Sequence, residues 1–153
     1  MAFKLIQCTH RHCVFTIDEE LRLFFLEDRS LLDYLFYAVR SVILRMFYQM
    51  NKSKNFVPGF ICVLHTFGRP LEWNPHIHCL ITEGGFSDDG FWRVVKHFNY
   101  TLLRKSFQTA LLNEMEKHIG PSFKKTNALI YKKTLMASMF MPNLTFPIPR
   151  LFL

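Results

Sequence analysis

Two imidazoles one residue apart, His76 and His78, are the sharpest chemical feature of this 153-residue sequence. On an extended strand, residues two apart project from the same face, so both rings can reach one divalent ion while Ile77 points into a core. Pro75 suits the start of such a strand, where no ladder donor is needed. His65 lies on the preceding strand-like run, and pairing of the two runs would bring a third imidazole toward the pair. Two or three histidines with positions left open make a catalytic rather than a structural metal site, because water or substrate can take the vacancy. For His65 the alternative is a buried ring hydrogen-bonded to backbone.

Other residues with ligand or nucleophile chemistry are less well placed. Cys8, His10, His12 and Cys13 look superficially like a zinc set, but four ligands within six residues cannot easily surround one tetrahedral ion. A strand with a histidine edge facing the site is the structural alternative. Tyrosine can serve as a covalent nucleophile. Tyr34 and Tyr37 sit three apart in an otherwise apolar helical run, which favours packing, and Tyr131 lies in the basic, exposed-looking run Ile130-Tyr131-Lys132-Lys133.

The elements that must position these groups follow from periodicity. Cys13, Phe15 and Ile17 alternate with His12, Val14 and Thr16, the signature of a strand. Asp18-Glu19-Glu20 then opens a helix, with Asp18 as its cap. A second helical start at Asp28 to Ser30 leads into Leu31, Leu32, Leu35, Phe36, Val39, Val42, Ile43, Met46 and Phe47 at spacings of three and four. Gly59 to Phe67 reads as a strand buried on both faces, apart from His65 and Thr66, and His76 to Thr82 reads as another. The short connection from Gly68 to Pro75 favours a hairpin over a parallel crossover. Tyr100 to His118 is an amphipathic helix stopped by Gly120-Pro121. The plan is α+β, with helices packed on an antiparallel sheet.

Composition bounds the rest. Half of the residues are hydrophobic, so a single domain of this length can bury about 70% of its extended surface, which excludes a disordered tail or a disulfide-stapled miniprotein. The count of 17 Phe, 5 Tyr and 2 Trp is high for a self-contained domain and suggests either a large core or faces that other chain would cover. A net charge of +7 suits phosphate-bearing partners. Four scattered cysteines do not make a secreted disulfide framework, and no signal-peptide run precedes His10, so a reducing cytosol is expected. The longest uncharged stretch, Leu135 to Pro149, contains three prolines and cannot be a membrane helix.

The segment from His10 to Gly85 resembles the rolling-circle transposases of bacterial insertion sequences, the two-tyrosine branch of the HUH endonucleases. The matching runs are His10-Arg11-His12-Cys13-Val14-Phe15-Thr16-Ile17 and Glu19-Glu20-Leu21-Arg22, then His65-Thr66-Phe67-Gly68-Arg69, Trp73-Asn74-Pro75-His76-Ile77-His78 and Thr82-Glu83-Gly84-Gly85. A looser likeness continues to Ile130-Tyr131-Lys132-Lys133. The resemblance implies an HUH endonuclease, Rep-like fold and a metal-dependent reaction on single-stranded DNA at transposon ends. His76 and His78 would hold Mg²⁺ or Mn²⁺, with His65 as third ligand and His12 as runner-up. The matched Arg69, Trp73, Asn74 and Arg11 would touch DNA. A tyrosine would attack the scissile phosphate to give a 5′-phosphotyrosine and a free 3′-hydroxyl, and a second tyrosine would serve strand transfer.

The sequence departs from that pattern at both ends. The cysteine-rich zinc module expected before His10 and the Tyr-x-x-x-Tyr pair expected beyond Lys133 are not found in these 153 residues. Residues 1–133 are therefore expected to form a partial HUH transposase domain, and 134–153 a poorly ordered, out-of-frame tail. Back-translating Met136 to Pro142 and reading two bases later permits Gly-Phe-Tyr-Val-Tyr-Ala, close to the continuation the resemblance implies. Sequencing the downstream DNA tests this frameshift hypothesis, which fails if the other frame encodes no Tyr-x-x-x-Tyr helix. A transposase-derived domain whose strand cleavage is lost is the leading expectation. An inactive single-stranded-DNA-binding fragment that interferes with intact transposase is the second, and a pseudogene product without activity the third.

Overall fold

The computed structural model describes residues 8–50, 56–69 and 71–140, with the side chains of 56 and 137–140 excepted. Strand β1 (His10–Thr16) leads through a 3₁₀ turn (Glu19–Leu21) into the short helix α1 (Arg22–Glu27) and the long helix α2 (Leu31–Met50). Strands β2 (Phe56–Phe67), β3 (Trp73–Ser87) and β4 (Trp92–Val94) follow, then α3 (Tyr100–Ile119), a second 3₁₀ turn (Pro121–Phe123) and α4 (Lys124–Phe140). The sheet runs β1-β3-β2, all antiparallel, and β4 pairs with β3 beyond the end of β1. The α+β plan and the β2–β3 hairpin are as expected.

Local chemistry explains the boundaries. The Asp18 carboxylate accepts from the Glu20 amide at 3.0 Å, and Asp28 accepts from the amide and hydroxyl of Ser30 ahead of α2. Asn99 caps α3 by accepting from the Leu102 amide, and Gly120, at φ 86, ends that helix in the left-handed region where only glycine is free of strain. Gly84 is required for a different reason. A Cβ there would lie 2.2 Å from the Arg93 carbonyl oxygen, so the close approach of β4 to β3 depends on its absence.

Helices cover one face of the sheet. Cys13 and Phe15 of β1 and Ile77, Cys79 and Ile81 of β3 turn inward against Leu35, Val39, Ile43, Met46 and Phe47 of α2 and Phe107, Leu111 and Met115 of α3. The Phe15 and Phe107 rings lie 5.2 Å apart. Cys13 and Cys62 both stand opposite Cys79, giving a row of free thiols across three strands, with the Cys62 and Cys79 sulfurs 3.3 Å apart. Burial pushes the Cys13 thiol up to about 11 and raises Cys62 and Cys79 as well.

One expectation is corrected. β2 is not buried on both faces: Phe60, Cys62 and Leu64 pack on the core, whereas Ile61 and Val63 are exposed, because an edge strand over helices on one side only leaves its alternate residues open. The expected boundary at 133/134 falls within α4. α4 runs through it to Phe140, and the Thr134 hydroxyl accepts from Gln108 Nε2 on α3 at 3.0 Å and donates its one proton either to Gln108 Oε1 at 3.1 Å or to the Ile130 carbonyl at 3.0 Å. The expected tail beyond residue 140 lies outside the described residues. Among the described residues no helix is long and apolar enough to cross a membrane.

Candidate metal centre

The antiparallel register builds the histidine cluster. His65 on β2 stands directly opposite His76 on β3, and His78 follows on the same, helix-free face. Ile77 between them is fully buried on the other face, as the alternation requires. One nitrogen from each of His65, His76 and His78 lies within 4.8 Å of the other two. The ring centroids are 5.4 Å apart for His65 and His76, 4.1 Å for His65 and His78, and 5.0 Å for His76 and His78. β1 brings in a fourth ring, with His12 Nε2 lying 2.8 Å from His78 Nδ1.

Hydrogen bonding and burial prepare these rings as ligands. His76 Nδ1 lies 2.7 Å from the carbonyl oxygen of Asn74, which can only accept. The proton therefore sits on Nδ1 and the Nε2 lone pair is left for an ion. Burial, and then the neighbouring rings of His65, His76 and His12, hold the His78 imidazolium below the ordinary histidine range and favour the neutral form that can ligate. Val14 and Val63, directly opposite His78 on either side, supply the apolar flanks. Three imidazole nitrogens fit a divalent transition ion and, of the two ions expected, suit Mn²⁺ better than the harder Mg²⁺.

The other predicted residues fall in several places. Cys13 is buried on the core face and His12 exposed on the open one, so the two cannot share an ion with Cys8 and His10, whose sulfur and Nε2 are 3.8 Å apart. Arg69 is exposed beside the β2–β3 turn, where a cation is accessible. Trp73 is tied down: its indole nitrogen donates to the Arg22 carbonyl at 2.8 Å, and the Arg29 guanidinium lies 4.4 Å from its ring centre. Asn74 contributes its backbone to His76, and its side-chain oxygen is buried without a partner among the described residues.

Arg11 is engaged inside the protein. Its guanidinium pairs with Glu83, donates to the Tyr100 hydroxyl at 2.9 Å and to the Lys96 carbonyl at 3.3 Å, and lies 5.3 Å from the centre of the Phe98 ring. The hydrogen bonds it donates to Tyr100 and Glu83 raise its pKa further. The tyrosines stand on helices α2, α3 and α4, whereas the cluster is on the face those helices leave open. Tyr34 hydroxyl contacts His118 Nδ1 at 3.2 Å and Tyr100 serves Arg11, so both hydroxyls have structural partners.

Comparison with known proteins places the chain in a family. Transposase for insertion sequence element IS801 from Pseudomonas savastanoi pv. phaseolicola is 34% identical over 102 residues, which cover 67% of this chain and 24% of that protein. "Putative transposase y4qJ" from Sinorhizobium fredii (strain NBRC 101917 / NGR234) is 30% identical over 118 residues, 74% of this chain and 30% of that protein. The chain thus spans less than a third of the length of these curated relatives. Among solved structures, the conjugative relaxase TrwC in complex with a 27-mer DNA comprising the recognition hairpin and the cleavage site aligns at TM-score 0.48 and 16% identity, over 69% of this chain and 44% of that one. A metal-bound TrwC complex with OriT DNA aligns at TM-score 0.46 and 17% identity, over 68% and 42%. The Y2_Tnp family, described as "Putative transposase", matches residues 59–142, which take in His65, His76, His78 and more than half of the sequence, and the chain belongs to that transposase family.

Proposed function

We propose that this chain carries the metal-holding part of a transposase that nicks and transfers single-stranded DNA by a rolling-circle HUH mechanism, in a bacterial-type cytosol. The observation that carries the reading is the set of three mutually close imidazoles, His65, His76 and His78, on the open sheet face. Held there, a divalent ion would polarise a scissile phosphate as a Lewis acid. His76 and His78 would present lone pairs, His65 would complete the set from the neighbouring strand, and burial of His78 favours its neutral form. Arg69, exposed next to the site, is placed to meet a DNA phosphate, and the net charge of +7 supports such a partner. No Tyr-x-x-x-Tyr pair occurs in the 153 residues, so this chain alone has no tyrosine pair to form the phosphotyrosine.

The test combines Mn²⁺ titration with labelled single-stranded hairpin DNA. One equivalent of Mn²⁺ should bind, His76→Ala and His78→Ala should abolish it, and no covalent protein–DNA adduct should form. Failure to bind the ion overturns the metal site, and an adduct overturns the absence of a nucleophile. A second reading, favoured by the missing tyrosine pair, is a catalytically inactive fragment that occupies transposon ends and interferes with intact transposase. It expects salt-sensitive single-strand binding that survives both histidine substitutions.

A further inference from the structure

We propose that His12 is a positioning residue of this centre, accepting the Nδ1 proton of His78 and so fixing the tautomer in which His78 can ligate. The inference rests on the metal site proposed above. The contact is a hydrogen bond and not a stack of rings: the planes are 22° apart with centroids 5.0 Å apart, while His12 Nε2 and His78 Nδ1 are 2.8 Å apart, so the rings meet edge to edge.

Only one of the two nitrogens can bring the proton to that contact. If His12 donates, His78 carries its proton on Nε2 and has no lone pair free for an ion. If His78 donates, Nε2 is its remaining donor atom, the same arrangement that the Asn74 carbonyl imposes on His76. Both β3 ligands then have Nδ1 held by an acceptor, one from the backbone of their own strand and one from β1. His12 itself stays outside the set of mutually close donors formed by His65, His76 and His78. Its place follows from register. His12 stands opposite Leu80 and Val14 opposite His78, so His12 reaches His78 on the diagonal across the open face.

Two measurements on the whole chain test this. In the metal-free protein, long-range ¹H–¹⁵N NMR should report His78 protonated on Nδ1 with Nε2 bare, and His12→Ala should remove that preference. A His78 ring protonated on Nε2 overturns the proposal whether or not any ion binds. In Co²⁺ and Mn²⁺ titrations, His12→Ala should weaken affinity roughly 10- to 100-fold. The number of coordinated imidazoles, counted by pulsed electron paramagnetic resonance, should stay unchanged. His12→Glu, which keeps an acceptor, should recover most of the loss. A fall of one imidazole in His12→Ala makes His12 a ligand, and unchanged affinity makes the contact incidental; either result overturns the proposal. Loss of binding in His76→Ala checks the underlying metal site separately.

Discussion

Replacing Arg11 separates a residue that holds the fold from one that holds DNA. Its guanidinium joins three elements, Glu83 on β3, the Lys96 carbonyl between β4 and α3, and the Tyr100 hydroxyl on α3, and it covers the buried Phe98 ring. The side chains of Arg11 and Glu83 are 30% and 16% exposed, so the pair is largely removed from water and Glu83 would be left without its cation in Arg11→Ala. A hydrogen bond to a charged group contributes about 1.5–3 kcal/mol, and breaking a buried pair costs about 3–5 kcal/mol. With the remaining exposure and the long third contact discounted, Arg11→Ala should cost about 2–3 kcal/mol, a fall in Tm of roughly 5–10 °C for a chain of this size. Arg11→Lys keeps the charge but not the fork and should recover part of this. Urea denaturation gives the stability, and single-strand binding against salt concentration gives the phosphate contribution. The reasoning is refuted if Arg11→Ala is as stable as the parent while its affinity falls and its salt slope drops by about 1, the mark of a lost phosphate contact.

Gly84→Ala should detach β4 from β3, because the new Cβ would meet the Arg93 carbonyl oxygen at 2.2 Å; hydrogen exchange should show faster loss of amide protection in β4, and unchanged protection refutes the requirement. The buried thiols of Cys13 and Cys79 should resist alkylation in the native protein at neutral pH and react on unfolding, and rapid native labelling at either position refutes this. Asp28 is held below the ordinary carboxylate value first by Ser30 and then by His118, so its contribution to stability is present above that value and is lost as pH falls through the depressed one. Asp28→Asn should therefore destabilise at pH 6 and matter progressively less below the ordinary Asp value of 3.8; an equal effect at acid pH contradicts the assignment. Thr134→Val, which breaks the exchange with Gln108, should cost about 1–2 kcal/mol if α4 is docked on α3, measured by chemical denaturation, and no cost refutes the docking.

Alternation made the centre legible. The period of two around His76, Ile77 and His78 fixes which side chains share a face, and the short loop after Phe67 fixes the antiparallel return that sets His65 opposite His76. The apolar stripe of α2 and the Gly120-Pro121 stop were equally readable because each is a local signal. Features that depend on distant partners were not. Arg11 looks like a free cation until Glu83, 72 positions away, and Tyr100 are brought beside it. α4 shows no apolar stripe because Ile130 alone of its described side chains is buried, and β4, three residues long, is too short to display a period. Ile61 and Val63 look like core because strand propensity and hydrophobicity do not reveal which strand is at an edge or which face the helices will leave open.

Those open-face residues change what the apolar composition means. Ile61 is 66% exposed, and with Val63 and Leu80 it stands among the histidines, not among the helices. A one-residue slip of β3 would turn Ile77, Cys79 and Ile81 outward and bury His76 and His78, so the core enforces the site through register alone. The open face then acts back on the chemistry. Val14 and Val63 flank His78 from both neighbouring strands, and loss of water around the ring is the largest cause of its lowered proton affinity. The hydrophobic excess is thus divided between a core that sets the strand register and an apolar surround on the open face beside the histidines.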